Sequence, residues 1–198
     1  MEVPLEFVSE TNLFNGNWIQ TNVVRVSRRS VEETWEVVYR RKPEQNPAHG
    51  VYVVPILIEQ DGQKSLIVVK QFRIAVRAFV IELPGGFMKV GESAERTAER
   101  ELWEETGYSG TAVQRSQAAC TEGAPVIFNT CIFVTVHIDG AAPQNNNPKQ
   151  NLPEDELECI QVIKIPLTNL RQRLDQLSKE DVYVMSELFT LALGISMS

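Results

Sequence analysis

Three glutamates near the middle of the chain, Glu101, Glu104 and Glu105, have a spacing that suits metal binding. In a helix, residues four positions apart lie on one face, so the carboxylates of Glu101 and Glu105 would point to the same side. Mg²⁺ in proteins is usually held by one or two carboxylates together with substrate phosphates and water. A solvated acidic helix face is the alternative, and it would bring like charges together at a cost in stability.

A glycine-rich turn precedes these glutamates and favours the metal site. Gly85 and Gly86 follow a short apolar strand, and glycine lets a backbone approach a phosphate group closely. Arg100 adjoins the glutamates, but few lysines lie near them in the sequence. Carboxylates without basic partners beside such a turn indicate divalent cations held against a phosphate group.

The elements that position these residues follow from the periodicity of the sequence. Ser93 to Thr106 predicts a helix, with Ser93 as the N-cap and Gly107 as the C-cap. Alternation and β-branched residues predict strands, and two closing helices are predicted near the end. The predicted strands cover residues 18–26, 31–40, 51–59, 65–72, 79–83, 130–138 and 157–165, and the closing helices residues 166–178 and 181–194. This order predicts an α/β domain whose helices cover a mixed sheet.

Two segments are predicted to lack regular structure. Residues 41–50 contain two prolines and a glycine and read as a linker. This linker separates a small N-terminal β unit at residues 1–45, in which 18–26 and 31–40 pair antiparallel, from a main domain at 46–198. Residues 139–153 are polar and rich in proline and asparagine, which predicts a long mobile loop.

Composition excludes several classes of function. The formal net charge of −7 and the pI near 5.0 argue against a nucleic-acid partner held on a basic face. The three cysteines show no CxxC spacing, so reduced thiols are expected. The longest apolar run, residues 51–58, is too short to span a membrane, and the first residues lack the pattern of a signal peptide. We therefore expect a cytoplasmic protein, with the nucleus as an alternative compartment.

The glycine and the glutamates belong to one longer pattern. It runs from Gly86 through five residues to Glu92, then through seven residues to the run 100–108 (RELWEETGY). This spacing matches the Nudix box at every position, and the chain resembles the Nudix hydrolases. The resemblance implies the Nudix fold, an α/β/α sandwich with a mixed sheet, to which the small N-terminal antiparallel β unit is added.

The resemblance also implies roles within the box. The carbonyl of Gly85 and the carboxylates of Glu101 and Glu105 would be metal ligands, with Glu104 a further candidate. Arg100 would orient a glutamate rather than touch the substrate. The cofactor would be Mg²⁺, with Mn²⁺ as a substitute.

Beyond the box, from about Asn12 to Leu193, the chain looks like the ADP-sugar (ADP-ribose) pyrophosphatase branch, in its eukaryotic form. The runs 70–73 (KQFR), 80–86 (VIELPGG) and 170–177 (LRQRLDQL) carry this similarity. It implies hydrolysis of a small nucleoside diphosphate sugar, ADP-ribose above all, to AMP and a sugar phosphate. It also implies a homodimer.

Several substrate positions carry over from this branch. Trp18 and Trp35 match two tryptophans that stack on adenine, one from each subunit, although core or interface tryptophans are the alternative. The remaining matches are Glu36 and Arg40 as nucleotide contacts, Arg73 reaching the diphosphate, Glu82 as a polar contact, Phe87 with its backbone facing the substrate, and Glu122 as an acidic contact. The alignment around Glu122 is ambiguous by two residues, because 122–125 (EGAP) departs from the usual Pro-Gly-x-Ser of the branch.

Matching the strand that ends at Pro166 places Glu158 at the catalytic glutamate of a mobile loop, as general base and further metal ligand. Glu156 and Glu154 are rivals for this role. The loop 139–155 would close over the substrate as a lid. Two other functions remain open: a Nudix hydrolase of GDP-mannose, NADH or an oxidised nucleotide, and a non-catalytic module that binds ADP-ribose.

Overall fold

The computed structural model describes residues 5–120, 126–157 and 159–197, with the backbone alone at residues 155 and 156. In chain order the strands are β1 (Glu6–Asn15), β2 (Ile19–Arg28), β3 (Val31–Arg40), β4 (Gly50–Ile58), β5 (Lys64–Arg73), β6 (Ala78–Glu82), β7 (Gly85–Phe87), β8 (Thr111–Arg115), β9 (Ala119–Cys120), β10 (Ile127–Phe128), β11 (Thr130–Asp139), β12 (Ile160–Pro166) and β13 (Tyr183–Val184). The α-helices are α1 (Ala94–Thr106), α2 (Glu154–Leu157), α3 (Leu170–Leu177) and α4 (Ser186–Ser196), with 3-10 turns at Pro143–Asn145 and Leu167–Asn169.

The larger sheet has the strand order β13-β6-β5-β4-β11-β8, with β12 paired to β5, β7 to β4 and β9 to β11. The strands β4 and β11 run parallel, whereas β4 and β5 are antiparallel, so the sheet is mixed. Successive side chains of β4 point to opposite faces of the sheet, and each face has its own hydrophobic core. Val51 and Val53 pack with α1, while Tyr52 and Val54 pack with α3 and α4. The predicted α/β/α sandwich is confirmed.

The smaller sheet has the order β1-β2-β3-β10. The predicted antiparallel pair is confirmed, because β2 and β3 form a ladder that begins with Ile19 opposite Arg40. Its fourth strand comes from the middle of the chain, with Ile127 beside Val38 in parallel. The sheet therefore extends beyond the N-terminal unit predicted at residues 1–45, and a boundary near residue 45 stays a prediction. The strand β1, which was not predicted, is exposed along its whole length.

The helix α1 begins and ends where its caps predict. The Ser93 hydroxyl accepts a 3.2 Å hydrogen bond from the N–H of Arg96, as an N-cap does. Gly107 takes the left-handed conformation, with φ 75°, and its N–H donates to the carbonyl of Trp103. A Cβ at Gly107 would lie 2.3 Å from the backbone nitrogen of Lys149, so the segment after β11 packs directly against this end of the helix.

The segment after β11, predicted as a mobile loop, contains a buried polar side chain. Asn145 is buried in a 3-10 turn, where its amide nitrogen donates to the carbonyls of Ser109 (3.0 Å) and Asp139 (2.9 Å). Its amide oxygen accepts from the N–H of Ser109 at 2.8 Å. This part of the segment is therefore anchored, because a polar side chain expected to be solvated replaces backbone hydrogen bonds. The mobility of the loop stays a prediction.

Three further predicted boundaries and the predicted linker are corrected. The strand predicted from residue 157 begins at Ile160, because the acidic run after Pro153 forms the short helix α2, and acidic residues favour a helix N-terminus. The closing helices begin at residues 170 and 186, later than predicted. The predicted linker at 41–50 is partly packed, since Asn46, Ala48 and His49 are buried.

No disulfide joins the three cysteines, of which Cys131 is buried and the other two are exposed. Among the described residues, no helix has both the length and the apolar character that crossing a bilayer demands.

Candidate active site

The glycine-rich turn and the glutamates of α1 lie against each other. The strand β7 pairs with β4, and its first N–H, that of Gly85, donates to Oε2 of Glu105 at 3.1 Å. A Cβ on Gly86 would lie only 2.3 Å from Oε1 of Glu101. Glycine is required at this position, because the Glu101 carboxylate occupies the space of a side chain. The sequence prediction that the turn and the carboxylates form one site is consistent with these contacts.

Burial changes how the two carboxylates ionise. Loss of water and, to a smaller extent, the charge of Glu101 together raise the pKa of Glu105 to about 8, against the opposing effect of the Gly85 N–H. Burial also raises the pKa of Glu101, against the opposing hydrogen bond and charge of Arg100. In both groups ionisation therefore has a cost that a bound cation would relieve.

Arg100 organises the rest of the acidic cluster. Its guanidinium donates to Glu92 (Nε to Oε1, 2.9 Å), to Glu101 (2.7 Å) and to Glu104 (3.0 Å). The Arg100 hydrogen bonds lower the pKa of Glu92 to about 2. The expected orienting role of Arg100 thus extends to three carboxylates. The expectation that the cluster lacks basic partners is wrong for Glu101 and Glu104.

Glu105 differs from Glu101 and Glu104 in its distance from basic side chains. In the described part of the chain, no Lys, Arg or His side chain lies within ion-pair distance of its carboxylate. When it ionises, its charge is therefore opposed only by more distant cations such as Arg73.

The donor set fits a hard divalent cation. Glu101 and Glu105 present carboxylate oxygens beside the backbone of the glycine turn, and Mg²⁺ prefers such oxygen ligands. Among the described residues, no three acidic, histidine or cysteine side chains form a complete site by themselves. In proteins, Mg²⁺ is usually bound by one or two carboxylates, with water and substrate phosphates completing the coordination.

A cavity of about 390 Å³ adjoins the glycine turn. Five of the predicted site residues line it: Arg40, Arg73, Glu82, Gly85 and Phe87. Nε of Arg73 donates to Oε1 of Glu82 at 2.8 Å, and burial raises the pKa of Glu82 against the opposing effect of Arg73. The structure therefore brings two arginines, one acidic residue and the turn around a single space.

An aromatic and cationic cluster stands beside this cavity. The ring of Trp18 stacks on Phe87 with centroids 5.9 Å apart and planes 26° apart. The guanidinium of Arg40 lies 4.5 Å from the centroid of the Phe87 ring. Trp18 is 70% exposed, so much of its surface is free to contact a ligand. Phe87 was predicted to act through its backbone, and its side chain adds a stacking partner.

Two predicted substrate residues lie away from the cavity. Trp35 and Glu36 are exposed on β3 and pair with Val24 and Val23 of β2. Trp18 adjoins the end of this ladder at Ile19, six residues along β2 from the partner of Trp35, which is about 20 Å at ~3.3 Å per residue. One chain therefore does not bring the two tryptophans together.

Glu122 and Glu158 lie outside the described residues, as does the side chain of Glu156. Glu154 is the exposed first residue of α2.

Several lining residues were missed by the sequence analysis: His49, Tyr52, Asn129, Thr130 and Cys131. Nδ1 of His49 accepts from the N–H of Thr130 at 2.9 Å, and Nε2 donates to the carbonyl of Arg40 at 2.7 Å. Burial lowers the pKa of His49, which is consistent with this neutral form. These residues meet because β4 and β11 run parallel, with Gly50 beside Cys131, a pairing that no local pattern reveals.

Comparisons with known proteins agree with this geometry. A family profile described as the NUDIX domain matches residues 48–184. The chain is 34% identical over 195 residues to "Putative nudix hydrolase 2" of Caenorhabditis elegans, covering 97% of this chain and 86% of that protein. It is 36% identical over 174 residues to "ADP-sugar pyrophosphatase" of Mus musculus, covering 87% and 78%.

Among solved structures, an "ADP compounds hydrolase" superimposes with a TM-score of 0.62, covering 87% of this chain and 84% of the other. Its sequence identity is 17%, so this likeness concerns the fold.

Proposed function

The chain belongs to the Nudix hydrolase family, and from this we propose that it hydrolyses the diphosphate of ADP-ribose and related ADP-sugars. Water adds across the P–O–P bridge, so that one P–O bond breaks and AMP and a sugar phosphate leave. One observation carries the proposal: a cavity lined by Arg40 and Arg73 adjoins a glycine turn that is backed by the buried carboxylates of Glu101 and Glu105.

The cavity suits an anion joined to a flat base. Arg73 and Arg40 supply fixed positive charge, which suits a diphosphate. Trp18 and Phe87 offer aromatic faces beside them, and stacking on such faces is worth about 1–3 kcal/mol per base. The mouse relative named as an ADP-sugar pyrophosphatase supports adenine as the base.

The reaction would depend on Mg²⁺, with Mn²⁺ as a substitute. Glu101, Glu105 and the Gly85 carbonyl would hold it, with Glu104 as a further ligand. When bound, the cation would neutralise phosphate charge and lower the pKa of the attacking water. Arg100 keeps Glu101 and Glu104 in place, and the Gly85 N–H orients Glu105. The proton of the attacking water would pass to Glu158, with Glu156 and Glu154 as rivals for the role of base.

A second copy of the chain would complete the base site. Trp18 and Trp35 are too far apart in one subunit to enclose one base, although each is exposed. The strand β1 also exposes large apolar side chains, namely Phe7, Val8, Leu13 and Phe14. Exposed apolar surface of this kind marks interfaces. We therefore propose a homodimer in which the N-terminal sheets bring Trp18 of one subunit and Trp35 of the other to the same base.

The test is turnover of a substrate panel. Purified protein with Mg²⁺ would be given ADP-ribose, ADP-glucose, GDP-mannose, NADH and an oxidised nucleotide, with detection of the nucleotide released. We expect AMP from ADP-ribose at the highest kcat/KM. Glu105→Gln should abolish turnover, whereas Glu95→Gln, a partly exposed position on the same helix, should preserve it.

Other outcomes would select the alternatives. Preferred release of GMP from GDP-mannose, or preferred cleavage of NADH or the oxidised nucleotide, would move the assignment to another Nudix substrate. Tight binding of ADP-ribose without any turnover would indicate a non-catalytic binding module.

A further inference from the structure

The last turn of α1 is capped by a distant part of the chain. We call residues 140–153, between β11 and α2, the strap. The N–H of Asn151 donates to the carbonyl of Glu104 at 2.8 Å, and Nε2 of Gln150 donates to the carbonyl of Glu105 at 2.8 Å. Carbonyls at a helix C-terminus have no partner within the helix, so the strap supplies the partners for two glutamates of the box.

The amide of Gln150 makes a second bond on its other side. Nε2 also donates to the carbonyl of Ile160, the first residue of β12, at 3.1 Å. Both partners are carbonyls, which only accept, so the amide nitrogen must face them and uses both of its protons. A single side chain therefore ties the end of α1 to the start of β12.

The start of β12 is also held from the opposite side. Ile160 lies opposite Gln71 of β5, and the N–H of Phe72 donates to the carbonyl of Cys159 at 3.2 Å. Cys159 and Ile160 are therefore held between the central sheet and Gln150.

We propose that Gln150 is a positioning residue, which fixes the last turn of α1, and with it Glu105, against the start of β12. The inference rests on the proposed function, because it assigns Glu105 to that reaction. Gln150 holds the backbone of Glu105 itself, whose carboxylate lies under the glycine turn. Misplacing a catalytic group by about 1 Å can lower a rate by about 100-fold, so one bridging amide can control kcat.

The strap offers two matched controls. Asn145 is also a buried amide with three hydrogen bonds, but these join Ser109 and Asp139 and none reaches α1 or β12. Gln144 is its exposed neighbour in the same turn. Loss of Asn145 should loosen the strap without breaking the bridge, and loss of the Gln144 side chain should change neither.

The experiment compares Gln150→Ala and Gln150→Asn with Asn145→Ala and Gln144→Ala. Gln150→Ala should lower kcat by about 10- to 100-fold, with KM changed less than about threefold. It should also reduce the rise in Tm that Mg²⁺ produces. Gln150→Asn, whose amide is one methylene shorter, should give a smaller loss and guards against a variant that fails to fold. Asn145→Ala should lower Tm while keeping kcat, measured well below its Tm.

Three outcomes would overturn the proposal. One is a normal kcat in Gln150→Ala, and another is an equal loss of kcat in Asn145→Ala at a similar Tm. If the wild-type protein turns over no ADP-sugar, the proposed function fails by itself. The Mg²⁺-dependent rise in Tm then decides the role of Gln150: a smaller rise in Gln150→Ala supports the bridge, and an unchanged rise rejects it.

Discussion

The backbone N–H of Gly85 donates to the buried carboxylate of Glu105, and this bond joins the glycine turn to a helix twenty residues away. Glu105 is 8% exposed, and burial raises its pKa to about 8, from an ordinary value of 4.5. At neutral pH the metal-free protein therefore holds Glu105 largely protonated. A cation bound there would displace that proton, since metal ligands must be deprotonated.

The raised pKa of Glu105 predicts how stability depends on pH. Because the folded protein binds the proton more tightly than the unfolded chain, its contribution to stability is fully present below about pH 4.5. That contribution is lost as the pH rises through about 8. Glu105→Gln should remove this loss and raise the Tm of the metal-free protein near pH 8. Thermal melts in EDTA across this range test it, with Glu95→Gln as control, and an unchanged slope in Glu105→Gln would contradict it.

The ion pairs of Arg100 predict that its removal destabilises the protein. Its side chain is 17% exposed and those of Glu92 and Glu101 are 16% and 12% exposed, so these ion pairs are poorly screened. Removing one partner of such a pair costs about 3–5 kcal/mol. Arg100→Ala should therefore lower the Tm by roughly 10 °C. Arg100→Lys should recover only part of it, because one ammonium group cannot make the fork of hydrogen bonds.

Thermal melts and turnover of Arg100→Ala should be compared with those of Arg96→Ala, an exposed arginine of the same helix. We expect Arg96→Ala to match the wild type in both measurements. An Arg100→Ala protein with normal Tm and normal kcat would show that the glutamates do not depend on this arginine.

The distance between Trp18 and Trp35 predicts complementation between subunits. Trp18→Ala and Trp35→Ala should each raise KM about tenfold, since stacking contributes about 1–3 kcal/mol. In a mixed dimer of the two variants, one base site would lack both tryptophans and the other would keep both. Unfolding and refolding the variants together should therefore restore a fraction with the wild-type KM.

Trp103→Ala provides the control for this experiment, because Trp103 is a partly exposed tryptophan of α1 with no predicted role in binding the base. If the mixture behaves as the sum of the two separate variants, the tryptophans do not share a site across a dimer.

Three variants test the identity of the general base. Glu158→Gln should lower kcat by about 10²- to 10⁴-fold with KM nearly unchanged, because proton transfer is lost while binding remains. Glu154→Gln tests the rival at the exposed start of α2 and should leave kcat unchanged if Glu158 is the base. Steady-state kinetics with ADP-ribose distinguishes them. A near-normal rate in Glu158→Gln would transfer the role to Glu156, which Glu156→Gln would then test.

Local patterns predicted those parts of the fold that depend on near neighbours. The helix α1 begins at Ser93 and ends at Gly107 because each cap acts within one turn. The fixed spacing of the box likewise identified Glu101 and Glu105. By contrast, β1 escaped prediction because all of it is exposed, so no alternation of apolar and polar residues marks it.

Contacts between distant segments could not be predicted in this way. His49 and Thr130 meet in the cavity across 81 residues, and Gln150 reaches Glu105 across 45. Their types are ordinary for polar loops, so nothing in the local sequence distinguishes them from solvated residues. Only the parallel pairing of β4 and β11 and the path of the strap show which partners these residues contact.

The backbone of Lys149 touches Gly107 so closely that neither segment can change alone. Surface loops usually accept insertions and deletions at little cost. Here a residue inserted between Asp139 and Lys149 would have to be accommodated before Lys149. Otherwise a different part of the backbone would lie against Gly107. Any larger residue at position 107 would clash with the backbone of Lys149. Length variation in this loop should therefore be tolerated only at its outer bend, around residues 141–144, and substitutions at the final glycine of the box should be accepted only alongside a rebuilt loop.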